Sequence, residues 1–364
     1  MKKFTAFCAR KGVVPSLHRY GVDALGAMAQ GLFCTLLVGT ILNTLGQQLH
    51  ISFLTEPIAA VGGASYTVGG LASAMVGPGI AVAIGAALSC PPLVLYSLIP
   101  VGFCANAIAG AGGPLAVYLV TILAAETGKL VSKETRVDIL VTPCVTILTG
   151  CALASVIAAP IGAAAQSVGS LIMWATELKP LLMGMLVSAI IGVALTLPIS
   201  SAAICAALSL TGLAGGAAVA GCCAQMVGFA VMSFKENRWG GLVAQGVGTS
   251  MLQMPNIVKN PMIFLPPILT SMITGALSTC VFHLEMNGAP VSSGMGTCGF
   301  VGQIGVYTGW VADVASGAKA AITATDWLGL LLICFILPAV ICAAIGWLFR
   351  RMGLIGENDL KLDL

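Results

Sequence analysis

The chain has 364 residues, of which 58% are hydrophobic and only 8% are charged, and its formal net charge is +3. A soluble domain of this length carries roughly a quarter charged residues. The composition therefore excludes an ordinary soluble enzyme. Because the basic residues are dispersed among the connections, it also excludes a nucleic-acid-binding surface.

Several long stretches of the chain contain no Asp, Glu, Lys or Arg. A bilayer crossing needs about 20 mostly apolar residues, so these stretches predict an all-α integral membrane protein with about 8–10 transmembrane helices plus re-entrant or broken segments. A cleaved leader is not expected, because the first apolar run is too long for a signal-peptide core. The charge-free stretches are 24–55, 57–125, 139–176, 180–234, 260–284, 286–312 and 327–349.

Four clusters of basic residues set the expected topology, because Lys and Arg accumulate in cytoplasmic connections. An even number of crossings must then separate each cluster from the next. We expect a cytoplasmic segment over 1–20, one transmembrane domain over 21–350 and a cytoplasmic tail over 351–364. The clusters are Lys2, Lys3, Arg10, Lys11 and Arg19; Lys129, Lys133 and Arg136; Lys235, Arg238 and Lys259; and Arg350 with Arg351.

The first half of the chain is expected to cross the bilayer an even number of times between its two basic clusters. One crossing fits in 24–55, and the length of 57–125 allows three more, with breaks at Pro91–Pro92 and at Pro100. The acids near the ends of these runs are expected to pair with neighbouring basic residues at the membrane interface. These acids are Asp23, Glu126 and Asp138.

The second half begins with one crossing in 139–176 and continues with one or three in 180–234, where Pro198 marks a break. Single crossings follow in 261–284 and 327–349. The segment 239–260 is too interrupted for a standard span, and it predicts an interfacial helix or a re-entrant hairpin.

The segment 286–312 contains many glycines, each of which lowers helix propensity by about 1 kcal/mol relative to Ala. A full crossing here would place Arg350 outside, so the charge rule favours a re-entrant or doubled-back segment. Such backbone survives at membrane depth only when it is buried in protein or lines a wet cavity. Glycines elsewhere are expected to permit close helix packing. They are Gly62, Gly63, Gly69, Gly70, Gly77, Gly79, Gly110, Gly112 and Gly113.

Polar residues inside the apolar sequence are the candidates for a solute site. Glu285, with His283 beside it, either contributes a carboxylate to that site or lies in a loop at the outer membrane surface. Side-chain amides and hydroxyls suit a neutral, hydroxyl-rich ligand, although structural use is the alternative for each residue. This second set consists of Ser200, Gln225, Gln245, Gln253, Asn256, Asn287, Thr297 and Gln303.

Thirteen cysteines are present, and most lie in or beside the apolar runs, where free cysteine behaves as a small hydrophobe. None has the C-x-x-C spacing of a zinc or redox site, so neither a metal nor a cofactor is expected. A P-loop, a nucleophile elbow, H-E-x-x-H and a dinucleotide fingerprint are also missing, and no catalytic residue is predicted.

The glycine-rich motifs resemble those of the enzyme IIC membrane proteins of the phosphotransferase system, in the branch that includes perfringolysin-regulator-like proteins. The resemblance rests on Leu197–Ala203, Gly212–Gly216, Gly221–Phe229, Gln245–Asn256 and Gly294–Gln303. It implies an elevator-type permease fold in the cell membrane of a bacterium, a homodimer and a sugar substrate bound by a Glu and a His near re-entrant hairpins. Glu285 and His283 are the nearest matches by position. Fused IIA or IIB domains are not expected, so phosphorylation would need separate partner proteins.

The leading functional hypothesis is a permease for a sugar or a similar small polar solute in the lipid bilayer. The alternative is a membrane-embedded sensor or regulator of gene expression that binds a ligand but transports nothing.

Overall fold

The computed structural model describes residues 7–362, so Lys2 and Lys3 of the first basic cluster lie outside the described residues. The chain divides into two compact units, Met1–Ala164 and Ala165–Leu364. Helices account for nearly all of the regular structure of residues 7–362. Within these residues, six helices are long and apolar enough to cross a membrane when Pro92–Val131 is counted as one, or up to seven if the bent pair Val68–Ala74 and Val76–Ala87 is one span. The predicted all-α membrane architecture is confirmed.

The first unit contains a ring of apolar helices and one small β-hairpin. The first helix contains two π-helical stretches, Arg19–Ala24 and Phe33–Leu37. The elements are α1 (Arg19–Leu49), α2 (Ser52–Thr55), β1 (Ala59–Val61), β2 (Ala64–Tyr66), α3 (Val68–Ala74), α4 (Val76–Ala87), α5 (Pro92–Ala109), α6 (Gly113–Val131) and the first part of α7 (Asp138–Thr176).

The β-hairpin was not anticipated in a chain expected to be all helical. Ala59 pairs with Tyr66, and the turn between the strands is Gly62–Gly63. Both glycines have positive φ, +59° and +85°, which is the backbone that a tight two-residue hairpin turn requires. Gly62 and Gly63 therefore serve the turn and not helix packing.

Close backbone approach holds the first unit together. Helices α3 and α4 are bent by 55° at Met75, and α4 packs against α1 and α5. A Cβ added at Gly77 would collide with the backbone of Gly102 on α5, and one added at Gly69 would collide with that of Gly39 on α1. The expectation that Gly69 and Gly77 permit helix packing is confirmed.

The basic residues at the two ends of this helix set meet at one acid. Arg19 and Lys129 approach the carboxylate of Glu126 to 3.4 and 3.2 Å, and both also donate to the carbonyl oxygen of Leu88, at 2.8 and 3.2 Å. The start of α1 and the ends of α4 and α6 therefore lie at the same face of the unit. This arrangement agrees with an even number of passages between the first two basic clusters, made by α1, α3–α4, α5 and α6, and the number of membrane crossings stays a prediction.

The predicted break at Pro91–Pro92 is confirmed, since α4 ends at Ala87 and α5 begins at Pro92. The break expected at Pro100 is wrong, because Pro100 lies inside α5. The helix turns back instead at Gly110, whose φ of +54° only glycine adopts readily.

The second unit is built on three helices that pack against one another, α8, α10 and α13, with α15 against α10 and α13. A π-helical stretch, Leu332–Ile336, interrupts α15. The break expected at Pro198 is confirmed, since it falls between α8 and α9. The helices are the end of α7, α8 (Pro180–Thr196), α9 (Ser201–Ala207), α10 (Gly212–Met232), α11 (Phe234–Val243), α12 (Met254–Lys259), α13 (Leu265–Cys280), α14 (Val301–Ser316) and α15 (Ala324–Arg351).

Short turns occupy the two segments that the sequence marked as interrupted. Between α11 and α12 the chain forms the π-helical stretch Ala244–Gly248 and the 3₁₀ turn Ser250–Gln253. The 3₁₀ turn Pro261–Phe264 leads into α13, and between α13 and α14 lie the turns Pro290–Gly294 and Cys298–Phe300. Neither segment is one regular helix, in agreement with the glycine pattern.

Segment 286–316 doubles back, as the charge rule predicted. Its start pairs with the first residue of α10, because Met286 and Gly212 exchange two backbone hydrogen bonds of 3.0 Å. Its turn lies against the middle of α10, where Gly296, with a φ of +54°, touches Cys222. Helix α14 then returns to the starting point, where Gly309 contacts Asn287. The central part of the non-helical stretch, residues 292–298, is buried in protein, as polar backbone at membrane depth requires, whereas Ala289, Val291 and Phe300 are exposed.

Each unit contains the same helix ending, which the sequence analysis did not detect. Residues 83–89 read A-I-G-A-A-L-S and residues 203–209 read A-I-C-A-A-L-S. Both segments end with a serine in the left-handed region, Ser89 at φ +55° and Ser209 at φ +50°. The serine N–H groups bond to equivalent carbonyls, of Ala86 at 2.9 Å and of Ala206 at 3.1 Å. A shared heptapeptide therefore ends a short helix in the same way in both units.

Candidate functional site

A polar cavity of about 300 Å³ opens where the doubled-back segment begins and ends. One wall is the extended stretch after α13, and the other is the end of α14 with the turn that follows. The lining residues are His283, Glu285, Asn287, Trp310, Asp313, Ala318 and Lys319. We call this cavity the rim pocket.

The side chain of Asn287 organises the rim pocket. Its amide nitrogen donates to Glu285 Oε2 at 3.2 Å and to Asp313 Oδ2 at 2.8 Å. Its amide oxygen accepts from the backbone N–H of Gly212 at 3.1 Å, at the first residue of α10. One amide therefore spaces two carboxylates and ties both to the end of α10.

Lys319 and Trp310 form the opposite wall. The Lys319 ammonium lies 5.7 Å from the centre of the Trp310 ring and 2.7 Å from Asp326 Oδ1. Trp327 meets Trp310 edge to face, with ring centroids 5.6 Å apart. Asp326 also closes a capping box with Thr323 at the start of α15. The Lys319 ammonium and the Trp310 ring are thus held in place by residues at the start of α15.

Nine of the ten predicted site residues fall into three separate groups, and Ser200 stands apart from all three. Only His283, Glu285 and Asn287 line the rim pocket. Glu285 is an exposed residue and directly precedes the doubled-back segment. The sequence left two alternatives for Glu285, a carboxylate of the solute site or an acid in a surface loop. Its position at the end of the helices fits the surface loop, and it also lines the cavity beside it.

The second group is buried inside the helix core. Gln225 bonds to Thr196 and Ser271 at 3.4 Å, and Thr297 lies 3.5 Å from the sulfur of Met226. Gln303 donates to the Cys223 sulfur at 3.1 Å, and its amide oxygen is buried without a hydrogen-bond partner. These side chains use their polar atoms mainly within the protein.

Ser200 has a local structural role. Its hydroxyl accepts from the N–H of Ala203 at 3.2 Å and caps the start of α9. Such capping is the usual reason for serine at a helix start.

The third group contacts the strap, which we define as residues 352–362 at the end of α15. Gln253 and Asn256 donate to strap carbonyl oxygens, and Gln245 accepts from Gln253 at 2.8 Å. All three side chains are buried. The structure thus places them on a peptide segment and away from the rim pocket.

Four pocket residues were not predicted, namely Trp310, Asp313, Ala318 and Lys319. The sequence contained a usable signal for Asp313. If 286–312 doubles back, its two ends must meet. Glu285 directly precedes the segment and Asp313 directly follows it, so the two carboxylates must approach each other.

The rim pocket is suited to a hydroxyl-rich solute. Carboxylates accept hydrogen bonds from hydroxyls, an amide both donates and accepts, and an aromatic face packs against C–H groups. Among residues 7–362, no cluster of three or more His, Cys, Asp or Glu side chains has the geometry of a metal site.

The chain was compared with protein families, with curated proteins and with solved structures. The model of the family described as "Phosphotransferase system, EIIC" matches residues 22–362. Neither a curated protein nor a solved structure matched.

Proposed function

The chain belongs to the phosphotransferase system EIIC family, and we propose that it is a permease component that translocates a sugar or a similar small polar solute across the bacterial cell membrane. Members of this family are, in general, the sugar-specific membrane components of the phosphotransferase system. The rim pocket is the observation that supports solute recognition by this chain. We assign the first contact with the solute to Glu285, Asn287, Asp313 and Trp310.

The size and chemistry of the pocket support this assignment. A cavity of about 300 Å³ accommodates a single sugar ring, and ligand sites of small molecules begin at about this volume. The two carboxylates are spaced by Asn287, so they can accept from different hydroxyls of one ring. The positive charge of Lys319 is shared with Asp326, so the pocket favours neutral solutes over anionic ones.

Titration of the purified protein with a panel of hexoses, pentoses, polyols and sugar acids tests the proposal. We expect saturable binding of at least one neutral sugar and a loss of affinity of about tenfold or more in Asp313→Asn, equivalent to about 1.4 kcal/mol. Glu177→Gln, which neutralises an exposed acid between α7 and α8, is the matched control. Unchanged binding in Asp313→Asn and Glu285→Gln would contradict the site.

Transport is a separate question from binding. In proteoliposomes, we expect the bound sugar to accumulate or to be released in phosphorylated form when separate IIA and IIB proteins are supplied. Binding without any translocation would favour the alternative of a membrane-embedded sensor. The homodimer and the elevator-type motion stay predictions, and the mass of the detergent-solubilised protein tests the first.

A further inference from the structure

The strap runs along a groove formed by α11, the turn Ser250–Gln253 and α12. Four side-chain amides of this groove hold the strap by its main-chain atoms. They belong to Asn237, Gln253, Asn256 and Asn260.

Asn237 contacts the strap as a neighbouring β-strand would. Its Nδ2 donates to the carbonyl oxygen of Leu360 at 2.7 Å, and its Oδ1 accepts from the N–H of Leu362 at 2.8 Å. Gln253 reaches the same Leu360 oxygen at 3.0 Å, and Asn256 reaches the carbonyl oxygen of Lys361 at 2.8 Å. Three consecutive strap residues are therefore bound through backbone atoms.

The other end of the strap is held in the same way. Asn260 Nδ2 donates to the carbonyl oxygen of Leu354 at 3.0 Å and to Asp359 Oδ2 at 2.7 Å. The carboxylate of Asp359 also accepts from the N–H of Gly356 at 2.7 Å, which closes the strap into a compact turn.

Only two strap side chains are buried, Ile355 and Leu360, at 3% and 0% exposure. Of the others, Asp359 contacts Asn260, and Glu357, with 84% of its side chain exposed, meets Lys235 at the surface at 3.1 Å. Recognition of the strap therefore combines main-chain hydrogen bonds with two aliphatic anchors.

The groove needs an occupant. Gln253 is fully buried and Asn256 is 6% exposed, and each donates to a strap carbonyl. Without the strap these amide groups would lose partners that buried polar groups require.

We propose that this groove is a binding site for a peptide with two aliphatic anchors in the turn conformation of the strap, and that it binds this sequence from a separate molecule once its own strap is released. This inference is independent of the proposed transport function, because the groove shares no residue with the rim pocket.

Full-length Leu360→Asp tests the proposal, because loss of the second anchor releases the strap and leaves the groove open. The probe is a fluorescein-labelled peptide of residues 353–362, G-L-I-G-E-N-D-L-K-L, followed by fluorescence anisotropy. We expect saturable binding to Leu360→Asp, and binding at least tenfold weaker when the peptide itself carries Leu360→Asp. The wild-type chain and Lys361→Ser, whose exposed side chain makes no contact with the groove amides, keep their own strap bound and leave the probe free.

Hydrogen–deuterium exchange of segment 352–362 gives a second readout on the same full-length proteins. We expect slow exchange in the wild type and exchange at the rate of the free peptide in Leu360→Asp. Should that variant fail to fold, Ile355→Asp removes the other anchor and must open the groove in the same way. The proposal is overturned if a folded, strap-released variant binds no probe, or if the wild-type strap exchanges as fast as the free peptide.

Discussion

Asn287 has three hydrogen-bond partners from three different parts of the second unit, namely Glu285, Asp313 and the backbone of Gly212. Two carboxylates this close would repel each other if nothing lay between them. The amide separates them and offers each a donor. The sequence predicted Asn287 as a site residue but not its contacts with Asp313 and Gly212, because these partners are 26 and 75 residues away.

Replacement of Asn287 by Ala is expected to weaken solute binding in the rim pocket by about tenfold, since it removes hydrogen bonds to two charged groups. The two acids would then move apart or bind water. The measurement is a titration with the sugar identified by the panel, and Gln48→Ala, at an exposed position on α1, is the control. Equal affinities of the wild type and Asn287→Ala would remove Asn287 from the site.

A second prediction at the residue scale concerns the ion pair between Lys11 and Glu134. The two side chains meet at 2.5 Å, and this hydrogen bond lowers the pKa of Glu134 below its ordinary value of 4.5. An acid with a lowered pKa stabilises the folded arrangement above its ordinary pKa, and this contribution is lost as the pH falls through the lowered value.

We therefore expect segment 8–13 to stay protected from pH 7 down to about pH 4.5 and to lose protection below it. Hydrogen exchange, corrected for its intrinsic pH dependence, measures this protection. Glu134→Gln should show the low protection at every pH, while Glu177→Gln should follow the wild type. A wild-type protection that does not change between pH 5 and pH 3 would contradict the role of Glu134.

At the scale of elements, glycine decides where non-helical backbone can approach a helix. A Cβ added at Gly216 on α10 would collide with the carbonyl oxygen of Leu284, directly before Glu285. Gly240 on α11 has no atom within 4 Å of the position where its Cβ would lie. The two glycines look alike in the sequence, and only the structure distinguishes a packing glycine from a free one.

Gly216→Ala is expected to cost about 1–3 kcal/mol of stability and to displace the Glu285 stretch, which weakens solute binding as well. Gly240→Ala should be neutral or slightly stabilising, since alanine favours a helix. Melting temperatures in detergent and sugar titrations measure both effects. Equal melting temperatures of the two variants would contradict the close approach at Gly216.

Apolar runs, prolines and the charge rule were enough to predict most elements. The length of 57–125 predicted three passages, and the charge of Arg350 predicted the doubled-back segment. The break predicted at Pro100 was wrong because neighbouring helices can accommodate a proline inside a membrane helix. The contacts of Gln253 and Asn256 could not be predicted, because their partners are strap backbone atoms more than 100 residues away and no local pattern encodes those contacts.

At the scale of the whole molecule, each unit brings two of its basic clusters to one face. Arg19 and Lys129 meet at Glu126 in the first unit. In the second unit Arg350 contacts Glu236 at 2.7 Å, next to Lys235, so the third and fourth clusters also meet. This meeting of basic clusters is the arrangement that an even number of passages within each unit predicts. The charge rule assigns these faces to the cytoplasm.

Proteolysis of oriented membrane vesicles tests this assignment on the wild-type chain. In inside-out vesicles, trypsin should cleave after Lys133 or Arg136, in the exposed connection between α6 and α7, and after Lys235 or Arg238 on α11. In right-side-out vesicles these sites should resist cleavage. Lys319, at the rim pocket, is the internal control, because the doubled-back segment and the charge rule together place it outside. Trypsin should therefore reach it from the opposite side. Cleavage after Lys133 or Lys235 from the outside would invert the topology, and with it the side from which the rim pocket receives its solute.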